Sequence, residues 1–187
     1  MTTKNHRIFL AINLPEGVMK KLSDFQKEWF DFPVKLTRRE NLHITLVFIG
    51  NVDTEAVLDV CKITKESISQ EDVFEIKLNK ICFGPLNNKP RMIWAIGENN
   101  ENLSCLKNKL EDSFFNLNKN NIANHRNFYP HITLARIKQK EWSNLENKPD
   151  IGKDISLSFS VDSVEVMESF LSRKGPEYTI LESISLK

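Results

Sequence analysis

His43-Ile44-Thr45-Leu46 recurs letter for letter as His131-Ile132-Thr133-Leu134, 88 positions further along a chain of 187 residues. In an extended strand successive side chains point to opposite faces. His43 and Thr45 therefore share one face while Ile44 and Leu46 take the other, and His131 and Thr133 share a face in the same way. A motif repeated at half-chain distance predicts two similar lobes. If the two strands lie side by side across a pseudo-twofold axis, the four polar side chains meet in one cleft and the apolar faces pack against helices.

The flanking sequence supplies the remaining elements. Arg7 to Leu14 reads as a strand ending at Pro15, a residue suited to a helix start. Val18, Leu22, Phe25 and Trp29 then recur at helical steps. Val34 to Leu36 is a short extended segment, and Asn41 to Gly50 is the strand that carries the first motif. Asp53 or Thr54 caps a helix running to about Ser69. Val73 to Leu78 and Arg91 to Ile96 form two strands, expected as antiparallel neighbours around a Gly84-Pro85 turn. Leu103, Leu106, Leu110 and Phe114 keep helical spacing. An Asn-rich, basic loop from Asn116 to Asn127 leads to the second motif strand, His131 to Ile137. Strands near 157–161, 164–167 and 178–181 close the chain.

Apolar residues make up 40% and charged residues 27%, the balance of a soluble globular chain with a full core. The longest apolar runs, Ile8 to Ile12 and Leu46 to Ile49, are strand-sized, whereas a membrane span needs about 20 apolar residues. The short apolar run near the N-terminus reaches Asn13 and Pro15 without a cleavage site, so no signal peptide is expected. Cys61, Cys82 and Cys105 are odd in number and widely spaced, which predicts buried, reduced thiols in the cytoplasm. A net charge of +1 argues against sequence-independent binding along a nucleic acid, which draws its affinity from many phosphate contacts. A nucleic-acid partner is expected to be gripped at one end.

A cleft holding two histidines and two threonines suits in-line displacement at phosphorus. Water must lose a proton on one side while the leaving oxygen gains one on the other. Histidine, with an ordinary pKa of about 6.5, serves either role, and a well-placed acid or base is worth roughly 10²–10⁴ in rate. The hydroxyls of Thr45 and Thr133 can hold the non-bridging oxygens. A single histidine in a strand is ordinarily structural, and a lone threonine there is an ordinary β-former. Here two of four histidines occupy the same place in identical motifs. His6 and His125 have no such partner and read as surface residues. Since the motifs are identical, the residues leave open which histidine is acid and which is base.

The chain resembles the bacterial RNA 2′,3′-cyclic phosphodiesterase branch, LigT-like or ThpR-like, of the two-histidine phosphoesterase superfamily. The resemblance rests on Arg7-Ile8-Phe9-Leu10-Ala11-Ile12, on Asn41 to Leu46 with Phe48-Ile49-Gly50, and on Arg91-Met92-Ile93-Trp94. It continues through Pro130 to Arg136, Ser169-Phe170-Leu171 and Gly175-Pro176-Glu177-Tyr178. It implies an α+β, bilobal fold, residues 1–187 as one domain, with two pseudo-symmetric lobes of antiparallel sheet and outer helices around a central cleft. It also implies metal-independent hydrolysis of an RNA 2′,3′-cyclic phosphate to a 2′-phosphate, with His43 as proton donor and His131 as acceptor. Ligation of 2′,5′ RNA ends would be the reverse reaction.

Four further residues are candidates for substrate binding. Arg136 is a candidate phosphate clamp, although strict alternation places it opposite His131 and Thr133 unless a bulge turns it inward. Phe9 is a stacking platform or, alternatively, a core residue. Arg126 and Tyr129 stand just before the second motif, near the expected rim. No cofactor or metal is expected, since neither motif brings a carboxylate or thiolate beside its histidine. RNA ends or cyclic nucleotides are the expected partners, without a membrane, and a monomer is the default. The alternatives are another two-histidine phosphodiesterase, acting on 2′,5′-oligonucleotides or RNA tails, and a catalytically silent RNA-end binding module.

Overall fold

A computed structural model describes residues 5–86, 88–115, 128–173 and 175–187. β1 (His6–Asn13) runs into Pro15, which stands at the cap position of α1 (Glu16–Gln26), where the missing N–H of proline removes no helical bond. α1 buries Val18 and Leu22, but the helical stripe does not continue to Trp29 in one helix. A separate 3-10 turn, Lys27–Trp29, carries that residue into the core. β2 (Val34–Leu36) and a 3-10 turn at Arg39–Asn41 precede β3 (His43–Val52). α2 (Thr54–Ile68) begins where the Asp53 carboxylate accepts the Ala56 N–H at 2.9 Å.

β4 (Phe74–Gly84) and β5 (Met92–Gly97) pair antiparallel, as the sequence predicts. α3 (Glu101–Phe114) is capped by Asn100, and the short α4 (Gln139–Ser143), which no sequence pattern marks, follows β6 (His131–Ile137). β7 (Lys153–Val161), β8 (Ser163–Ser172) and β9 (Gly175–Ser185) are all longer than the sequence pattern suggests.

All strand pairs are antiparallel, in the order β7-β4-β5-β6-β3-β1-β8-β9, with β2 also on β6. The sheet is two four-stranded halves joined at a narrow seam. β3 and β6 share a single register pair, Ile44 with Ile132, the residues between each histidine and its threonine. Antiparallel geometry around that pair brings His43 toward Thr133 and Thr45 toward His131, so a pseudo-twofold axis passes through the seam.

The symmetry extends to a flaw in the ladder. In one half Leu10 pairs with Val47 and Ala11 with Thr45, which leaves Leu46 as an extra residue. In the other Ile93 pairs with Ala135 and Trp94 with Thr133, which leaves Leu134 extra. Each is a β-bulge at the same place in the repeat.

Ile44, Leu46, Ile132 and Leu134 are buried in one core with Leu22, Val60, Leu106 and Leu110 from the helices. Full burial of each such aliphatic side chain contributes roughly 1.5–3 kcal/mol. Among the described residues no helix is long and apolar enough to cross a membrane. The cysteines depart from expectation: all three are free, but Cys61 and Cys82 are only half-buried and Cys105 is exposed. Cys105 falls on the solvent side of α3, whose core stripe is Leu103, Leu106, Leu110 and Phe114. His6 is also not a surface residue. Its side chain is 13% exposed, with Nδ1 2.8 Å from the buried Glu168 carboxylate and Nε2 3.1 Å from the Thr54 hydroxyl. His125 lies outside the described residues.

Candidate active site

His43, Thr45, His131 and Thr133 all line one cleft of about 900 Å³. Each histidine sits at the first residue of its strand, where the preceding backbone is free to turn a carbonyl back onto the ring. The Nδ1–H of His43 donates to the carbonyl of Asn41 at 2.8 Å, and the Nδ1–H of His131 donates to the carbonyl of Tyr129 at 3.0 Å. A carbonyl can only accept, so both rings carry a proton on Nδ1, and Nε2 is the nitrogen left to gain or give a proton in the cleft. In the first site the Thr45 hydroxyl lies 3.0 Å from that Nε2.

Burial disfavours the imidazolium at both positions and holds both pKa values below the ordinary histidine value. The carbonyl hydrogen bonds pull the other way, and His43 is lowered further by the charge of His131. That second effect is the electrostatic sign that the two rings share a cleft.

The aromatic surroundings differ. His43 packs tilted against Phe9 at 5.2 Å between centroids and edge-on against Tyr178 at 5.2 Å. His131 lies over Trp94 at 4.1 Å with 33° between the planes.

The bulges decide what else reaches the cleft. Strict alternation would put Arg136 on the helix side. The extra residue at Leu134 restores the cleft-facing phase, so Arg136 pairs with Met92, lines the cleft and points Nη1 at the Met92 sulfur, 3.8 Å away. By the same shift Phe48 pairs with Phe9 and stands 62% exposed in the cleft wall.

Phe9 itself is 3% exposed and clusters with Ala11, Met167 and Tyr178, so it is a floor residue under His43 and offers no open stacking face. Tyr129 contributes its carbonyl; its ring, 47% exposed, is not among the cleft-lining residues. Arg126 lies outside the described residues.

The profile of the family described as LigT like phosphoesterase matches residues 12–94. The RNA 2′,3′-cyclic phosphodiesterase of Methanocaldococcus jannaschii is 30% identical over 178 residues, covering 94% of this chain and 98% of that protein. The chain belongs to the LigT-like phosphoesterase family. A crystal structure from Thermus thermophilus matches with a TM-score of 0.82 at 30% identity, covering 96% of this chain and 97% of that one. E. coli LigT, crystallised with NADP+, matches at 0.77 and 25% identity, covering 98% and 99%. These matches do not separate a bacterial branch from the rest of the family.

This LigT-like cleft also holds residues that the sequence pattern did not single out. Lys35, Arg38 and Arg7 line it alongside Arg136 and make it cationic. Lys107, on the core side of α3, forms a 2.5 Å ion pair with Glu111 and sits 5.2 Å over the Phe128 ring. A lysine between Leu103 and Leu110 keeps helical phase with the core, and that phase was the available signal. Among the described residues no three His, Cys, Asp or Glu side chains group closely enough to hold a metal ion.

Proposed function

We propose that this protein hydrolyses RNA 2′,3′-cyclic phosphate ends to 2′-phosphate ends by general acid–base catalysis without a metal. The observation that carries the reading is the matched pair of histidines, each tied through Nδ1 to the carbonyl two residues before it and each beside a threonine in one cationic cleft. The substrate class is an RNA end or a cyclic nucleotide.

In the proposed reaction the Nε2 of His131 takes a proton from water as the water oxygen attacks phosphorus. The P–O3′ bond breaks in line, and Nε2–H of His43 delivers a proton to O3′. Thr45 and Thr133 donate hydroxyl hydrogen bonds to the non-bridging oxygens, where charge builds in the transition state. Arg136 stands on the same face as a charge-assisted phosphate contact. If an RNA 5′-hydroxyl replaces water as the nucleophile, the same steps form a 2′,5′-phosphodiester, so ligation needs no added machinery. The proposed setting is a cytoplasmic pool of RNA ends, in keeping with three free cysteines.

Phosphorus NMR of the purified protein with a short RNA ending in a 2′,3′-cyclic phosphate, in excess chelator, tests the reading. Accumulation of the 2′-phosphate supports it. A 3′-phosphate product would reverse which oxygen leaves, and no product would favour an RNA-end binding module.

A further inference from the structure

We infer that Trp94 is a positioning residue for His131: its indole, seated on the bare backbone of Gly84, fixes the plane of the imidazole so that Nε2 points into the cleft. The inference rests on the reading of His131 as a proton-transfer group.

Three observations carry it. The indole and imidazole centroids are 4.1 Å apart, tilted by 33°, whereas His43 meets Phe9 and Tyr178 only at 5.2 Å, tilted by 41° and edge-on at 89°. A Cβ placed on Gly84 would collide with three atoms at the fused edge of the indole, so β4 carries the one residue type that leaves the ring its room. Among the described residues the buried Trp94 Nε1 has no hydrogen-bond partner. Leaving a buried donor unpaired is costly, which points to packing against Gly84 and the imidazole, rather than a hydrogen bond, as what sets the ring's place.

The strand itself does not require tryptophan. Trp94 pairs with Thr133 as Ala11 pairs with Thr45, so the pseudo-equivalent position in the other half is filled by alanine. The bond from Nδ1 to the Tyr129 carbonyl pins one atom of His131 and leaves the ring free to swing about it. The indole face removes that swing.

The test compares Trp94→Leu, Trp94→Phe and Gly84→Ala with the parent protein, using turnover of an RNA 2′,3′-cyclic phosphate and nitrogen NMR titration of both histidines. Trp94→Leu should lower kcat roughly 10- to 100-fold with KM nearly unchanged, the size expected of a misplaced reacting group. The His131 titration should move toward the ordinary histidine value while that of His43 stays. Trp94→Phe, which keeps a π face, should recover most of kcat, and Gly84→Ala should reproduce Trp94→Leu.

Parent-like kcat with an unmoved His131 titration in Trp94→Leu overturns the inference. So does an equal loss in Trp94→Leu and Trp94→Phe with both histidines shifted, which would mark collapse of the whole cleft. His131→Ala, run in parallel, tests the underlying reading separately: if it keeps turnover, the proton-transfer role fails while the NMR still reports on the stack.

Discussion

The two motif strands are the same four residues, the same bulge and the same burial sequence, yet the molecule has given them different surroundings. On β3 the histidine is held by Phe9 and Tyr178, and the cleft-facing residue past the bulge is Phe48. On β6 the histidine lies over Trp94 and the matching residue is Arg136. Backbone symmetry puts two like histidines into one cleft, one from each half of the sheet. Side-chain asymmetry then puts the aromatic Phe48 at one of the two matched positions past the bulge and the cationic Arg136 at the other.

The sharpest way to break the comparison is to remove each histidine in turn. His43→Ala and His131→Ala should each lower turnover by at least ~10²-fold, because each deletes one of the two proton transfers that the proposed reaction needs. Circular dichroism should show an intact fold in both. Thr45→Ala and Thr133→Ala should cost less, as a hydroxyl contributes one hydrogen bond to charge that the arginine and lysines also attract. Full activity in either histidine variant removes the mechanism.

The histidine pair was legible because period-two alternation and a literal repeat need no tertiary information. The bulges were not. Leu46 and Leu134 are ordinary strand residues, and nothing in their side chains marks them as extra; only the register against β1 and β5 does. That is why alternation places Arg136 on the wrong face and passes over Phe48. Alternation also ends β4 near Leu78 for a similar reason, since a register shift between Leu78 and Lys80 interrupts the pattern before the strand continues to Gly84. A ring nitrogen or an ammonium is ordinarily solvated, so His6 reads as a surface residue and Lys107 draws no notice. Their partners, Glu168 and Glu111, are long-range in one case and on a helix legible only by its apolar stripe in the other.

Arg136→Ala and Phe48→Ala sharpen the contrast between the two matched positions. A charge-assisted hydrogen bond is worth about 1.5–3 kcal/mol, so Arg136→Ala should lower kcat/KM roughly 10- to 100-fold, with a phosphate-dependent loss. Phe48→Ala should act mainly on KM, by less than about tenfold, and equally for cyclic mononucleotides and longer ends. Equal effects from both would mean that the two positions do not divide the substrate.

The pH dependence asks whether the two histidines still behave as a pair. Acid–base catalysis needs one protonated and one neutral, so kcat/KM should follow a bell centred between their free-enzyme pKa values. Burial lowers both, and the bell should therefore be centred below pH 6.5, the ordinary histidine value. The same shifts act on stability with a definite sign. Between the ordinary and the lowered values the unfolded chain binds more protons than the folded one, so stability falls as pH drops below 6.5. Melting curves between neutral and mildly acid pH should show that loss, and the His43→Ala, His131→Ala double variant should reduce it. A bell centred at or above 6.5 would contradict the burial of the pair.

The smallest effect concerns the helices that follow the first motif and precede the second. Asp53 caps α2 through one bond, to Ala56 N–H at 2.9 Å. Asn100 caps α3 through its Oδ1, which accepts from Leu103 N–H at 2.9 Å, and its Nδ2 also donates to the Glu75 carbonyl at 2.8 Å. It therefore ties the helix to β4 as well as ending it. Loss of a cap costs typically ~1 kcal/mol, and a chain of this size shifts its Tm by about 2–4 °C for each kcal/mol. Asn100→Ala should lower Tm more than Asp53→Ala, by the extra bond, with kcat unchanged in both. If Asp53→Ala proves the costlier, α2 depends more on its own cap than the sheet-side bond helps α3.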